Sequence, residues 1–151
     1  MSDSIREQIG IALKSRLETI LVSNDYNFDS GLSVYRARNN FDEEDLPALT
    51  FWLNSDLNDK TYSSNTRVMS VDIESFLLSD ESDNDSQINK LLADIQLCMG
   101  TNTVEFNGLI EGLKETISEP AYPDSGSEVI SASVTYEITY KTKQNNPYLS
   151  P

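Results

Sequence analysis

The order of apolar patterns along the chain predicts an α+β fold: a mainly antiparallel or mixed β-sheet of about four to five strands, with two helices packed on one face. Three observations carry this. Two stretches, one at the start and one in the middle, repeat apolar residues at helical spacing. A long segment near the end alternates apolar and polar residues with period two. Between these lie shorter alternating runs, punctuated by Pro, Gly, Asn and Asp.

Ser4-Ile5-Arg6-Glu7 reads as a capping box, in which the Ser hydroxyl and the Glu carboxylate satisfy free N–H groups at a helix start. Ile5, Ile9, Leu13, Leu17, Ile20 and Leu21 continue one apolar stripe, so the expected helix covers residues 4–22. A turn-rich break over 24–31 leads to a short strand over 32–38. A polar, acidic loop over 39–45 closes on Leu46-Pro47, and Pro, lacking an N–H, suits the entrance of a second strand over 47–54. The polar stretch 55–65 reads as a hairpin loop too long for a tight turn, hence a projecting β-arm or contact loop.

Residues 67–78 form the third expected strand. Met69, Val71, Ile73 and Leu77 share one face, and Ser70, Asp72 and Glu74 the other, as in a sheet covered on one side. An acidic turn over 79–85 precedes a helix carrying Ile88, Leu91, Leu92, Ile95 and Met99, capped at its start by Asp85 or Ser86 and stopped at Gly100. Residues 102–112 read as a short strand or turn carrying Phe106, Leu109 and Ile110, and 114–120 as a strand. A loop over 122–126 leads to the strongest strand signal, residues 129–143. One domain over 1–143 is expected, followed by an extended, patternless tail over 144–151.

At 151 residues the chain can bury roughly 70% of its unfolded surface without staples. Its 25 acidic and 11 basic residues give a formal charge of −14, which disfavours a nucleic-acid grip by clustered cations but suits a duct along which DNA slides. There is no histidine, which removes the commonest general base and metal ligand together with Ser-His-Asp and Cys-His catalysis. Cys98 is the only cysteine, so no intramolecular disulfide forms; lying one step off the helix stripe, it reads as structural. Neither a signal peptide nor a membrane-spanning run is evident, and a cytosolic origin is expected.

Few constellations suggest chemistry. Asp72 and Glu74 point to one face, and paired carboxylates can hold a metal or move protons, but alternation produces such pairs on any solvated sheet face. The run from Asp80 to Asp85 resembles a calcium loop in composition only, since Asp85 and Leu91 stand where the loop requires Gly and Glu. Asp42-Glu43-Glu44-Asp45 reads as a solvated loop. Gly108 and Gly112 are too isolated to cradle a phosphate. Arg36 and Arg38, expected on one face of a strand, imply carboxylate partners, either in the 42–45 loop or on a neighbouring subunit.

In order and spacing these segments resemble the tail terminator, or tail completion, proteins of long-tailed bacteriophages. The resemblance rests on Ile5-Arg6-Glu7-Gln8-Ile9 opening a helix, Val34-Tyr35-Arg36-Ala37-Arg38, Asp45-Leu46-Pro47-Ala48-Leu49 entering a strand, the strand over 68–76, the helix over 88–99, Asn107-Gly108-Leu109, and Ile138-Thr139-Tyr140-Lys141-Thr142. It covers almost the whole chain; the acidic loop after Leu78 and the C-terminal tail depart from it. The resemblance implies a non-enzymatic structural subunit without cofactor, metal or membrane. Its expected form is a homo-oligomer, a hexameric ring at the neck end of the virion tail, made in the host cytoplasm. Such a ring caps the tail tube, stops its polymerisation and meets the head–tail connector protein, while DNA passes through the lumen without specific binding. The resemblance makes Arg36, Arg38, Asp56, Leu57, Lys60, Tyr62 and Arg67 the candidates for subunit or tube contacts, and Arg36→Glu is expected to weaken the ring. Three other readings stand beside it: a different neck or connector subunit, a small acidic enzyme using Asp72 and Glu74 with a divalent metal, and an acidic binding module.

Overall fold

Alternation of apolar and polar residues over two fifteen-residue segments sets the frame. In the computed structural model, which describes residues 2–80, 83–101, 106, 108–123 and 128–151, these segments are strands β3 (Ser64–Leu78) and β5 (Val129–Lys143). They pair antiparallel without interruption from Ser64↔Lys143 to Leu78↔Val129. β2 (Ala48–Lys60) runs antiparallel beside β3, and β4 (Gly112–Ala121) antiparallel beside β5. β1 (Val34–Arg36) lies parallel to β2, so the described residues form a mixed five-stranded sheet in the order β1-β2-β3-β5-β4.

Helices α1 (Ile5–Leu17) and α2 (Asn84–Gly100) cover one face. Ile5, Ile9, Leu13 and Leu17 of α1 and Ile95, Cys98 and Met99 of α2 meet Phe51, Met69, Val71, Ile73, Val134, Tyr136 and Ile138 in one core. Ile88 and Leu91 continue it over Leu77, Ile130 and Ala132. The fold is therefore α+β, with both helices on the face that alternation marked as apolar.

Several boundaries differ from expectation. α1 stops at Leu17, not at residue 22. The Thr19 hydroxyl donates to Arg16 O at 2.6 Å, and such local side-chain bonding competes with helix continuation. Ile20 is still wholly buried, so the stripe beyond Leu17 marks the core rather than the helix. The strand expected over 32–38 is reduced to β1 because Ala37 takes a left-handed φ of 54° and breaks the extended backbone. The loop expected over 55–65 is largely strand: β2 continues through a bulge between Leu53 and Asp56, and β3 begins at Ser64. The hairpin turns at its tip, where Thr61 N–H donates to Ser64 O at 2.8 Å.

α2 begins at Asn84. Its cap is Asp83 rather than Asp85 or Ser86, because the non-helical Asp83 backbone lets its carboxylate accept from Ser86 N–H. Residues 81 and 82 of the acidic turn, 102–105 and 107 of the segment carrying Phe106, and 124–127 of the following loop lie outside the described residues.

The C-terminal tail, residues 144–151, lies back against the domain. Ile5 N–H donates to Pro147 O at 2.9 Å, and Lys143 N–H to Leu149 O at 2.7 Å. Asp94, which the sequence does not single out, is a buried carboxylate that accepts from the N–H groups of Asn27 and Phe28 and from the Asn27 amide, tying the 26–28 loop to α2.

Gly31 sits where the chain returns from α1 to β1. A Cβ there would lie 2.6 Å from Glu18 O and 2.7 Å from Ile20 O, both backbone atoms. Gly31→Ala is expected to lower stability by about 1–3 kcal/mol. The measurement is a urea unfolding curve, in which the midpoint falls while the slope is unchanged.

Candidate assembly surfaces

The seven residues expected at contacts divide sharply once their surroundings are known. Arg36, on the helix side of β1, forms a two-pronged pair with Glu7 of α1, at 2.6 and 3.0 Å, and its guanidinium lies 5.8 Å from the Phe51 ring centre. That hydrogen bond holds the Glu7 carboxyl below its ordinary value, with burial opposing it and the Arg36 charge reinforcing it. Gly10 permits this approach, since a Cβ there would be 2.7 Å from Arg36 Nη2.

Arg38 does not share a face with Arg36. The left-handed Ala37 between them turns Arg38 to the opposite side of the sheet, correcting the expectation of two aligned arginines. There it lies 4.3 Å from the Tyr35 ring centre and 5.1 Å from that of Phe41. It also donates to Asp45 at 3.1 Å and to Asn40 O at 2.9 Å. The 42–45 segment is accordingly a 3₁₀ turn, Glu43–Asp45, with a carboxylate turned inward.

Asp56 also faces inward. One carboxylate oxygen accepts from Arg6 Nη1 at 2.9 Å and the other from the Tyr140 hydroxyl at 2.7 Å. Burial first, then the bond to Asp56, pushes the Tyr140 phenol far above its ordinary value, so it stays a proton donor. Arg6 Nη2 donates to Leu53 O at 2.6 Å and Asn54 O at 2.7 Å, carbonyls at the β2 bulge, where the ladder with β3 is interrupted. Arg6, which the sequence places merely off the apolar stripe, thus closes the bulge.

The remaining candidates lie about the hairpin. Tyr62 at the tip is 99% exposed and Leu57 is 75% exposed, values far from those of core residues of their type. Lys60 is exposed, and the Gln144 amide, with its oxygen turned toward it, accepts from Nζ at 3.1 Å. Arg67 is half-buried on the helix side, opposite Tyr140 in the β3–β5 register.

Among the described residues the other face of the sheet carries no α-helix. Asp72 accepts from Asn54 Nδ2 at 2.8 Å and from Thr135 Oγ1 at 2.6 Å. Glu74 lies beside it, and partial burial, then the Asp72 charge, raises its pKa above the ordinary 4.5. Among the described residues no group of three or more potential metal ligands occurs, and no helix is long and apolar enough to cross a membrane.

On the helix side a cleft of about 660 Å³ is lined by Ile11, Ala12, Tyr26, Cys98, Phe106 and Leu109, with polar residues at its rim. Burial raises the Cys98 thiol pKa, and its S–H donates to Arg16 O at 3.4 Å, so this sulfur is held as a neutral thiol in the core.

Two substitutions test these assignments. Because Arg36 is paired within the chain, Arg36→Glu places like charges together at Glu7. It is expected to lower the stability of the isolated chain by about 1 kcal/mol, measured by urea unfolding at a concentration where the mass is monomeric. Glu74 loses stability on ionising: a carboxyl whose folded pKa is raised stabilises the fold below its unfolded pKa, and that contribution is lost as pH rises through the folded value. Glu74→Gln should therefore melt higher than the parent at neutral pH. The difference should shrink as pH falls toward 4.5; a pH-independent difference would contradict the assignment.

No protein-family model matches this chain, and a search of curated protein sequences returns no match either.

Proposed function

We propose that the protein is a structural subunit of a phage tail, assembling as a hexameric ring that caps the tail tube, stops its polymerisation and offers a surface to the head–tail connector. The observation that supports this most directly is the hairpin tip. Tyr62 is almost fully exposed on a turn held by two bonds from Thr61, N–H to Ser64 O at 2.8 Å and hydroxyl to Ser64 O at 2.9 Å. A rigid aromatic presented this way is the type of residue that anchors protein contacts.

The sheet also offers free edges. β1 covers β2 only at Leu49, Thr50 and Phe51, leaving the distal part of β2, among the described residues, without a strand on the edge away from β3. β4 is exposed over nearly its whole length. Head-to-tail contacts through different surfaces of one subunit generate closed rings when the rotation closes. A formal charge of −14 per subunit opposes assembly, so ring contacts must be made by apolar groups such as Leu57 and Tyr62 or by basic residues such as Lys60 and Arg67. In this reading the acidic lumen lets DNA pass without holding it, and the protein has no catalytic role.

The test is solution mass by light scattering over a concentration series, with negative-stain images of the same samples, alone and with polymerising tube protein. Six-subunit rings, or a ring at the end of each tube with growth arrested, are the expected result. Tyr62→Ala with Leu57→Ser should lower ring formation at least tenfold without changing the unfolding midpoint. A chain that stays monomeric and leaves tube growth unaltered would overturn the reading.

A further inference from the structure

The sheet face without helices is only half covered by the chain itself, and the cover shows what chemistry fits there. At the end near Ala48 the 37–46 segment folds over it. Phe41 packs on Phe76 with ring centres 4.8 Å apart and on Tyr35 at 5.5 Å. Arg38 lies over both Tyr35 and Phe41, and its backbone N–H donates to Thr50 Oγ1 at 3.1 Å. The chain thus fills one half of the face with an aromatic ring flanked by a cation.

The other half has the matching groups and, among the described residues, no such cover. Cross-strand register aligns Trp52, Asp72, Thr135 and Ile117 in one row, and Leu57, Val68 and Thr139 in another. Ile117 is 49% exposed and Leu57 75% exposed, while Trp52 and Val68 are half-buried. Around these apolar groups the same face carries Asp59, Glu74, Glu119 and Glu137. Its lysines are Lys114, opposite Glu137, Lys141, paired with Glu111 at 3.4 Å, and Lys143 at the far end, opposite Ser64. The face is an apolar strip in an acidic frame.

We infer that this half of the sheet face is a docking site for an extended segment of a partner protein, with apolar or aromatic side chains flanked by Lys or Arg. Charge complementarity selects a basic occupant. A second copy of the chain would set carboxylates against carboxylates. Size agrees: four strands across and four residues along span about 14 Å by 14 Å, roughly 200 Å². A standard interface takes about 800 Å² from each partner. The area holds one segment and no more. The inference stands whether or not the protein forms a ring.

Trp52 is the only tryptophan of the chain and sits on the strip, so its emission reports occupancy. The probe is a synthetic peptide of alternating leucine and lysine, compared with one of equal length and charge in which serine replaces leucine. The expected result is a saturable shift of Trp52 emission to shorter wavelength with the leucine peptide. Binding should be at least tenfold weaker for the serine peptide, and likewise for a protein carrying Leu57→Ser and Ile117→Ser. Both substitutions are at exposed positions, and a Leu97→Ser protein, altered at an exposed position of α2 on the opposite side of the sheet, serves as the folded control that should bind the leucine peptide as well as the parent. Equal binding of the two peptides would reduce the effect to charge attraction and overturn the inference. So would binding without an emission shift, or a shift produced by protein concentration alone together with a doubled mass.

Discussion

The pairing of β3 with β5 is the constraint on which the remainder of the structure depends. Fifteen consecutive residue pairs hold two strands in one register, and a slip of one position would exchange every buried side chain for a solvated one. That register sends Met69, Val71, Ile73, Val134, Tyr136 and Ile138 to one side, where α1 and α2 dock. It sends Asp72, Glu74 and Thr135 to the other. The shorter strands add to the two edges of this pair, so both the core and the uncovered face inherit their positions from it.

Electrostatics shapes the structure next. With 25 acidic and 11 basic residues, cations are scarce, and three of the arginines are paired with carboxylates of the same chain. Arg6 closes the β2 bulge and meets Asp56, Arg36 ties β1 to α1 through Glu7, and Arg38 holds the 37–46 segment down through Asp45 and two aromatic rings. The consequence for function is that these arginines are committed to the fold, and the surface presented to partners is acidic, interrupted by apolar groups at the hairpin and on the open sheet face. Such a surface favours partners that bring cations and discourages nonspecific contact between copies.

The tail-ring reading and the docking strip share Leu57 and otherwise draw on different parts of the molecule. The ring reading uses the hairpin tip and the strand edges; the strip uses the face of the sheet. A subunit that joins its copies by edges keeps a face available for a second kind of partner, which is what a terminal ring between a tube and a connector requires.

Much of this architecture was legible from residue order. The stripes of α1 and α2 and the alternation of β3 and β5 were visible because one side of each element is buried and the other solvated, which imprints a period of 3.6 or 2 on the sequence. The distal half of β2 was not: it is exposed on an edge, so its Asp, Asn and Lys residues carry no apolar period and read as loop. The parallel seat of β1 was hidden for a related reason, as three residues hold too little pattern to show direction. Among contact candidates, the exposure of Leu57 and Tyr62 agreed with a polar hairpin, whereas the partners of Arg36, Arg38 and Asp56 did not follow from spacing. Arg6 and Asp56 stand 50 positions apart, and Asn27 and Asp94 stand 67 apart. The sequence by itself determined which faces are apolar and therefore the layers, because burial acts on each residue along its own element. Only the tertiary structure decided which charges are spent inside and which remain on the surface, because an ion pair or a buried hydrogen bond depends on distances between elements that no local pattern records.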